Sequence, residues 1–154
     1  MSTVATILSH KNQIGKDGVV TIDQHATVLD AARAMNQHKI GSVVVTCPRS
    51  ANSHDGGIVG ILTERDILTR VVALCKDPMR TLVSDAMTHP VQTCCPDTPV
   101  EELRHAMREQ RIRHVPVLSD NALAGMVSIG DLNAYETLSL SSTVETLEAY
   151  ITRA

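Results

Sequence analysis

The chain has 154 residues, 20% of them charged, with a formal net charge of -3, so it carries no basic stripe of the kind that duplex binding requires. Trp and Phe are absent and Tyr is present twice, which removes the aromatic platforms that hold single strands and leaves a core of Val, Ile, Leu, Met and Ala. Four scattered cysteines without a C-x-x-C, no apolar run long enough for a bilayer, and no secretory signal over Met1 to Gly15 predict a cytoplasmic protein with reduced thiols.

In chain order, a short lead-in containing VATIL precedes a β-branched stretch at Val19 to Ile22. Val28, Ala31, Ala32 and Met35 then recur at helical spacing, with Thr27 and Asp30 placed as a capping box. Ile40 to Thr46 reads as a buried strand, the polar loop 47–57 as a surface segment able to act as a lid, and Ile58 to Leu62 as a second strand. A second helix begins near Glu64. The segment 76–90 contains VSDAM, an echo of VATIL.

The same order then returns. Val91 to Thr93 predicts a strand. Val100, Leu103, Ala106 and Met107 predict a helix with Thr98 and Glu101 as its capping box, and Arg113 to Leu118 and Leu123 to Val127 predict paired strands. A further helix begins near Ile129. After a polar stretch, SLSST, a last helix carries Leu140, Val144, Leu147 and Ile151 on one face, for packing on its own module or on a partner chain. Two like units that cannot each close a core are expected to pack on one another and to create paired sites.

GILTERD (Gly60 to Asp66) and GMVSIGD (Gly125 to Asp131) are the chemically suggestive pair. Thr63 or Ser128 and the N–H groups of the helix start can hold phosphate oxygens, and Asp66 or Asp131 can accept from ribose hydroxyls. Thr63-x-x-Asp66 and Ser128-x-x-Asp131 are equally acceptable caps, with the spacing already used at Thr27 and Asp30. Both readings stand on the pattern. The seven histidines show no tight pair at ligand spacing, Cys94-Cys95 reads as buried and inert, and no catalytic or metal-binding set is found.

The ordered recurrence of VSDAM, TxxVxT, RIRHVPVL and GxhS/T-x-x-D resembles tandem cystathionine-β-synthase (CBS) domains, the pair known as a Bateman module, from Val4 to about Leu132. The resemblance implies an α+β fold of two tandem CBS repeats, each strand-helix-strand-strand-helix, packed with pseudo-two-fold symmetry. The division expected is 1–75 for the first repeat, 76–136 for the second with its lead-in, and 137–154 for a C-terminal helix.

It also implies a regulatory, non-enzymatic module that binds AMP, ADP, ATP, NAD(H) or S-adenosylmethionine between the repeats, needs no cofactor and signals to a separate effector protein. By family likeness Thr63 and Ser128 meet phosphate and Asp66 and Asp131 the ribose, while Thr21, Thr93, Ile40, Gly41, Val115 and Pro116 line the base wall. Lys39 and Arg65 in the first repeat, and Arg111, Arg113 and His114 in the second, are the candidate phosphate cations, the richer second set favouring more highly charged phosphates. A homodimer is expected, and neither nucleic acid nor membrane is a partner. The alternatives are a constitutive oligomerisation or interaction module with vestigial clefts, and a thiol or metal redox sensor.

Overall fold

The computed structural model describes residues 1–13, 18–48 and 57–152. Residues 49–56 of the expected lid, with His54, lie outside the described residues. The elements run α1 (Val4–Gln13), β1 (Thr21–Asp23), α2 (Val28–His38), β2 (Ser42–Thr46), β3 (Ile58–Thr63), α3 (Glu64–Ile67), a π-helical turn (Leu68–Val72), α4 (Val83–Ala86), α5 (Val100–Gln110), β4 (His114–Ser119), β5 (Ala122–Ser128) and α6 (Ile129–Thr152). Mixed helix and strand in this order is the expected α+β class. The chain divides into two compact units: 18–95 with 115–126, and 1–17 with 96–114 and 127–154.

The first of these units holds a three-stranded sheet of order β1-β2-β3, in which β1 runs parallel and β3 antiparallel to β2. Val43, Val44 and Val45 of β2 are fully buried. Near-continuous burial of consecutive β-branched residues means that this strand is covered on both faces, which is why it lacks hydrophobic alternation. Val28, Ala31 and Met35 of α2 join Val43, Val45, Leu62, Val71, Val83 and Ala86 in one apolar cluster. The Thr27 hydroxyl accepts from the Asp30 N–H and the Asp30 carboxylate accepts from the Thr27 N–H, so the predicted capping box is present.

The second copy of the pattern departs from expectation at its start. Val91 to Thr93 forms no strand; pairing shrinks to one parallel bridge at Cys94, whose N–H donates to Pro116 O (3.1 Å) and whose carbonyl accepts from Leu118 N–H (2.8 Å). Pro90 and Pro96 flank the segment and have no N–H to extend a ladder. β4 and β5 are joined across Asp120 and Asn121, both at positive φ (50° and 60°), the backbone of a tight hairpin turn matched to strand twist.

In the other unit α5 starts one residue later than the predicted capping box requires. Pro99 is its N-cap and no side chain caps it. The orphan Val100 N–H is instead taken by Ser2 O at 3.0 Å, as the Val28 N–H of α2 is taken by Thr81 O at 2.9 Å. The two lead-ins also pair alike: Val4 N–H donates to Thr98 O (2.9 Å), and Val83 N–H to Ala26 O (2.8 Å). Each lead-in therefore satisfies the first helix of the opposite repeat.

α6 corrects the expected break at the SLSST stretch. One helix continues from Ile129 to Thr152: no Gly or Pro interrupts it after Gly130, and the hydroxyls of Thr137, Ser141, Thr143 and Thr146 bond back to carbonyls four residues earlier, within the helix, rather than offering the backbone a turn. Arg104 of α5 ties its first part down through Leu132 O (3.3 Å) and the Glu136 carboxylate (3.1 Å). Leu132 is fully buried, whereas Leu140, Val144, Leu147 and Ile151 are exposed, so the stripe does not pack intramolecularly.

Candidate functional site

Two carboxylate clusters form where a strand feeds a helix. In the first, the Thr63 N–H and hydroxyl donate to Asp66 Oδ2 at 2.9 and 3.0 Å, and the Asp66 N–H donates back to the Thr63 hydroxyl at 3.2 Å. The Thr88 hydroxyl donates to Asp66 Oδ1 at 3.0 Å, and Arg70 Nη1 stands 3.8 Å from the same oxygen. Arg70 also donates to Ala86 O and Met87 O, at 3.0 and 2.7 Å, clamping the end of α4. Asp66 is 7% exposed, so this carboxylate is held by donors on several elements.

The second cluster repeats the pattern with a different third partner. Ser128 N–H and hydroxyl each donate to Asp131 Oδ2 at 2.7 Å, and Lys11 Nζ of α1 donates to the same oxygen at 3.0 Å. Burial, the largest influence, pushes the Asp131 carboxyl up, but the Ser128 hydrogen bonds and the Lys11 ammonium together outweigh it and hold it below its ordinary value. A depressed carboxyl contributes stability above its unfolded pKa and loses it as pH falls through the folded one. Asp131→Asn is therefore expected to cost about 1 kcal/mol at pH 7, a difference that shrinks below about pH 4, measured by urea unfolding at the two pH values.

Both clusters are thus capping boxes, and several of the backbone donors expected to meet phosphate are already engaged. Glu64 N–H donates to Gly41 O (3.1 Å) and Ile129 N–H to Arg113 O (2.8 Å). Those bonds bring Gly41 beside Thr63 and Asp66, and Arg113 beside Ser128 and Asp131. Lys39 and Arg111 occupy equivalent places as left-handed C-caps of α2 and α5, with φ 53° and 54°. Lys39, Arg111, Arg113 and Arg65 are exposed, His114 is half-buried, and Val115 and Pro116 are buried in β4. Thr21 lies on β1 opposite Val44. Thr93, Val115 and Pro116 fall in one compact unit, and Arg111, Arg113, His114, Ser128 and Asp131 in the other.

Two cavities open in the first-described unit. One, of about 480 Å³, is lined by Lys39, Ile40 and Gly41 together with Glu64, Ile67 and Leu68. Its acid lies against the Gly41 backbone, where an added Cβ would stand 3.3 Å from Glu64 Oε2. The other, of about 570 Å³, is lined by Ile58, Val59, His89, Pro90, Val91 and Thr93. Its walls are mainly apolar with few polar groups, and both volumes suit a small ligand. Thr88, the donor to Asp66, immediately precedes His89 on the second cavity's wall and exchanges backbone hydrogen bonds with Ile61.

Residues 12–73 and 83–136 match the CBS domain. The chain belongs to the CBS domain family. Proteins built from paired CBS domains are regulatory. A mitochondrial CBS domain-containing protein of Arabidopsis thaliana is 32% identical over 97% of this chain and 72% of its own length. A CBS-domain containing protein from Agrobacterium tumefaciens, 35% identical, superposes with TM-score 0.76 over 88% of this chain and 99% of its own. The fold is also that of a CBS pair solved in complex with 5′-methylthioadenosine and S-adenosyl-L-methionine, TM-score 0.74 at 24% identity over 90% of this chain and 98% of that one.

Sequence reasoning missed Thr88, Arg70 and Lys11 in the CBS clusters. The four-residue step from Asp66 to Arg70 was a usable signal; nothing local announces Lys11 for Asp131. Among the described residues no three His, Cys, Asp or Glu side chains come together as for a metal, and no helix is long and apolar enough to cross a membrane. Cys94 is buried, and burial, with Cys95 adjacent, pushes its thiol up to about 12. Since the thiolate is the nucleophile, Cys94 is expected to resist alkylation at pH 8 until the protein unfolds, while exposed Cys75 reacts in the native state. Mass spectrometry after iodoacetamide treatment reads both; rapid native labelling of Cys94 would revive the redox-sensor reading.

Proposed function

We propose that this CBS pair is a sensor of adenosine-containing ligands, AMP, ADP, ATP, NAD(H) or S-adenosylmethionine, that reports binding to a separate effector protein and has no catalysis of its own. The observation that carries this is the second cavity together with the Thr63–Asp66–Thr88 cluster, whose Thr88 is followed directly by His89 on the cavity wall: the apolar walls suit a base, and Asp66 and Thr88 are polar groups of the kind a ribose needs. Support at the level of fold comes from the CBS pair that holds two adenosyl compounds. Thr21, Thr93, Val115 and Pro116 remain the proposed base-side residues.

At the second cluster Ser128, Asp131, Arg113, Arg111 and His114 keep their proposed roles, and Lys11 joins them as a cation already at the carboxylate. A ribose that takes Asp131 must compete with Lys11, and a phosphate can recruit it. Lys39 and Arg65 stay proposed for the first site, although Glu64 beside Lys39 opposes an anion there. We further propose a cytoplasmic homodimer, favoured by exposed Leu68 and Val72 at the rim of the smaller cavity.

Dye-monitored thermal unfolding against AMP, ADP, ATP, NAD, NADH, S-adenosylmethionine and a guanylate control tests the reading, since the chain has no Trp of its own. A ligand at about a hundred times its Kd should stabilise the fold by roughly 2.7 kcal/mol. A selective adenylate shift is expected; no shift with any of them would favour the constitutive interaction module.

A further inference from the structure

We infer that α6 forms a parallel two-stranded coiled coil with a second copy of this chain. The helix is anchored at its start by Arg104 of α5, through Leu132 O and the Glu136 carboxylate. Residues 136–149 and Ile151 are exposed, and this stretch contains Ser139, Ser141, Ser142, Thr143 and Thr146, all weak helix formers. Its last turn carries no basic residue to answer the helix dipole. Helices in proteins owe most of their stability to packing, so a helix of this composition calls for a partner along its exposed apolar stripe.

The sequence of the exposed stripe specifies which partner. Thr137, Val144 and Ile151 recur every seven residues, with Leu140 and Leu147 three places after Thr137 and Val144. The a positions are then all β-branched and the d positions all Leu, the combination that in a parallel coil favours two strands over three or four. In that register Thr143 of one copy faces Glu148 of the other, so no like charges meet, and Glu145 points away from the seam. A lipid surface is the wrong match, because residues 137–152 contain no Lys or Arg and two Glu. The contact rests on the self-association proposed above and adds the seam and its polarity.

Cysteine pairing in the full-length protein tests it. Leu140→Cys and Ile151→Cys, each alone under mild oxidation, should give disulfide-linked dimers well above the background of the wild-type thiols, while Glu145→Cys stays at that background. Circular dichroism confirms that each variant keeps its helix. Dimers formed only on mixing Leu140→Cys with Ile151→Cys would establish an antiparallel pair and overturn the inference, as would equal cross-linking of Glu145→Cys. Sedimentation of the wild type separates the two levels of failure: a monomer at micromolar concentration removes self-association altogether, whereas a dimer without seam cross-links removes only the coiled coil.

Discussion

Asp66→Ala is expected to lower the free energy of unfolding by about 2–4 kcal/mol, combining the loss of a helix cap with the cost of leaving polar groups unpaired. The carboxylate accepts from the Thr63 N–H and hydroxyl on one oxygen and from the Thr88 hydroxyl on the other, in a site 7% exposed. Alanine leaves those donors without their acceptor and Arg70 without its nearby countercharge. Urea unfolding checks the magnitude; a loss under about 0.5 kcal/mol would mean that water replaces the carboxylate readily. Adenylate binding at this site should fall with it, and unchanged affinity in a folded variant would remove Asp66 from the ligand site. Thr88→Val separates the roles, because it spares the cap and removes only the hydroxyl at Oδ1.

Leu62→Ala should cost a similar or larger amount, about 2–5 kcal/mol, since deleting a buried leucine forfeits transfer energy and leaves a cavity. Leu62 is fully buried on β3, in register with Val43 of β2, within the cluster formed by Val28, Met35, Val71 and Val83. Branched neighbours on a paired strand have little freedom to close the gap, which favours the upper part of that range. The urea midpoint should drop with an unchanged slope; a reduced slope would indicate a loosened native state instead. The next residue is Thr63, so a smaller adenylate shift in this variant than in wild type would show that the core positions the cluster.

Much of this arrangement was legible because its causes are local. The 3.6-residue spacing of Val28, Ala31 and Met35 and of Val100, Leu103 and Met107 marks α2 and α5, whose buried faces carry those residues. The caps at Thr27, Thr63 and Ser128 are three-residue patterns, and they formed. Thr98 misled because the helix starts one residue later than its pattern suggests: Pro99 is the N-cap and Thr98 lies before it, its carbonyl accepting from the Val4 N–H of the distant lead-in. The reduced strand at Cys94 was hidden for a related reason: β-branched content is a propensity, while pairing is decided by neighbours. Lys11 against Asp131 spans 120 positions of chain and leaves no periodic trace. The match to the CBS domain carries the family; the choice of ligand rests on the cavity by Thr88.

The crossed lead-ins bear on how the polypeptide can be divided. Severing the chain near Lys76 would place Thr81 and Ser2 on different fragments from the helix starts they satisfy, Val28 and Val100 respectively. Neither fragment could complete its own first helix, yet each would carry the missing piece of the other. Mixed together, the halves hold every acceptor that the intact protein uses, which makes the molecule a natural starting point for a split reporter that reassembles by reciprocal exchange.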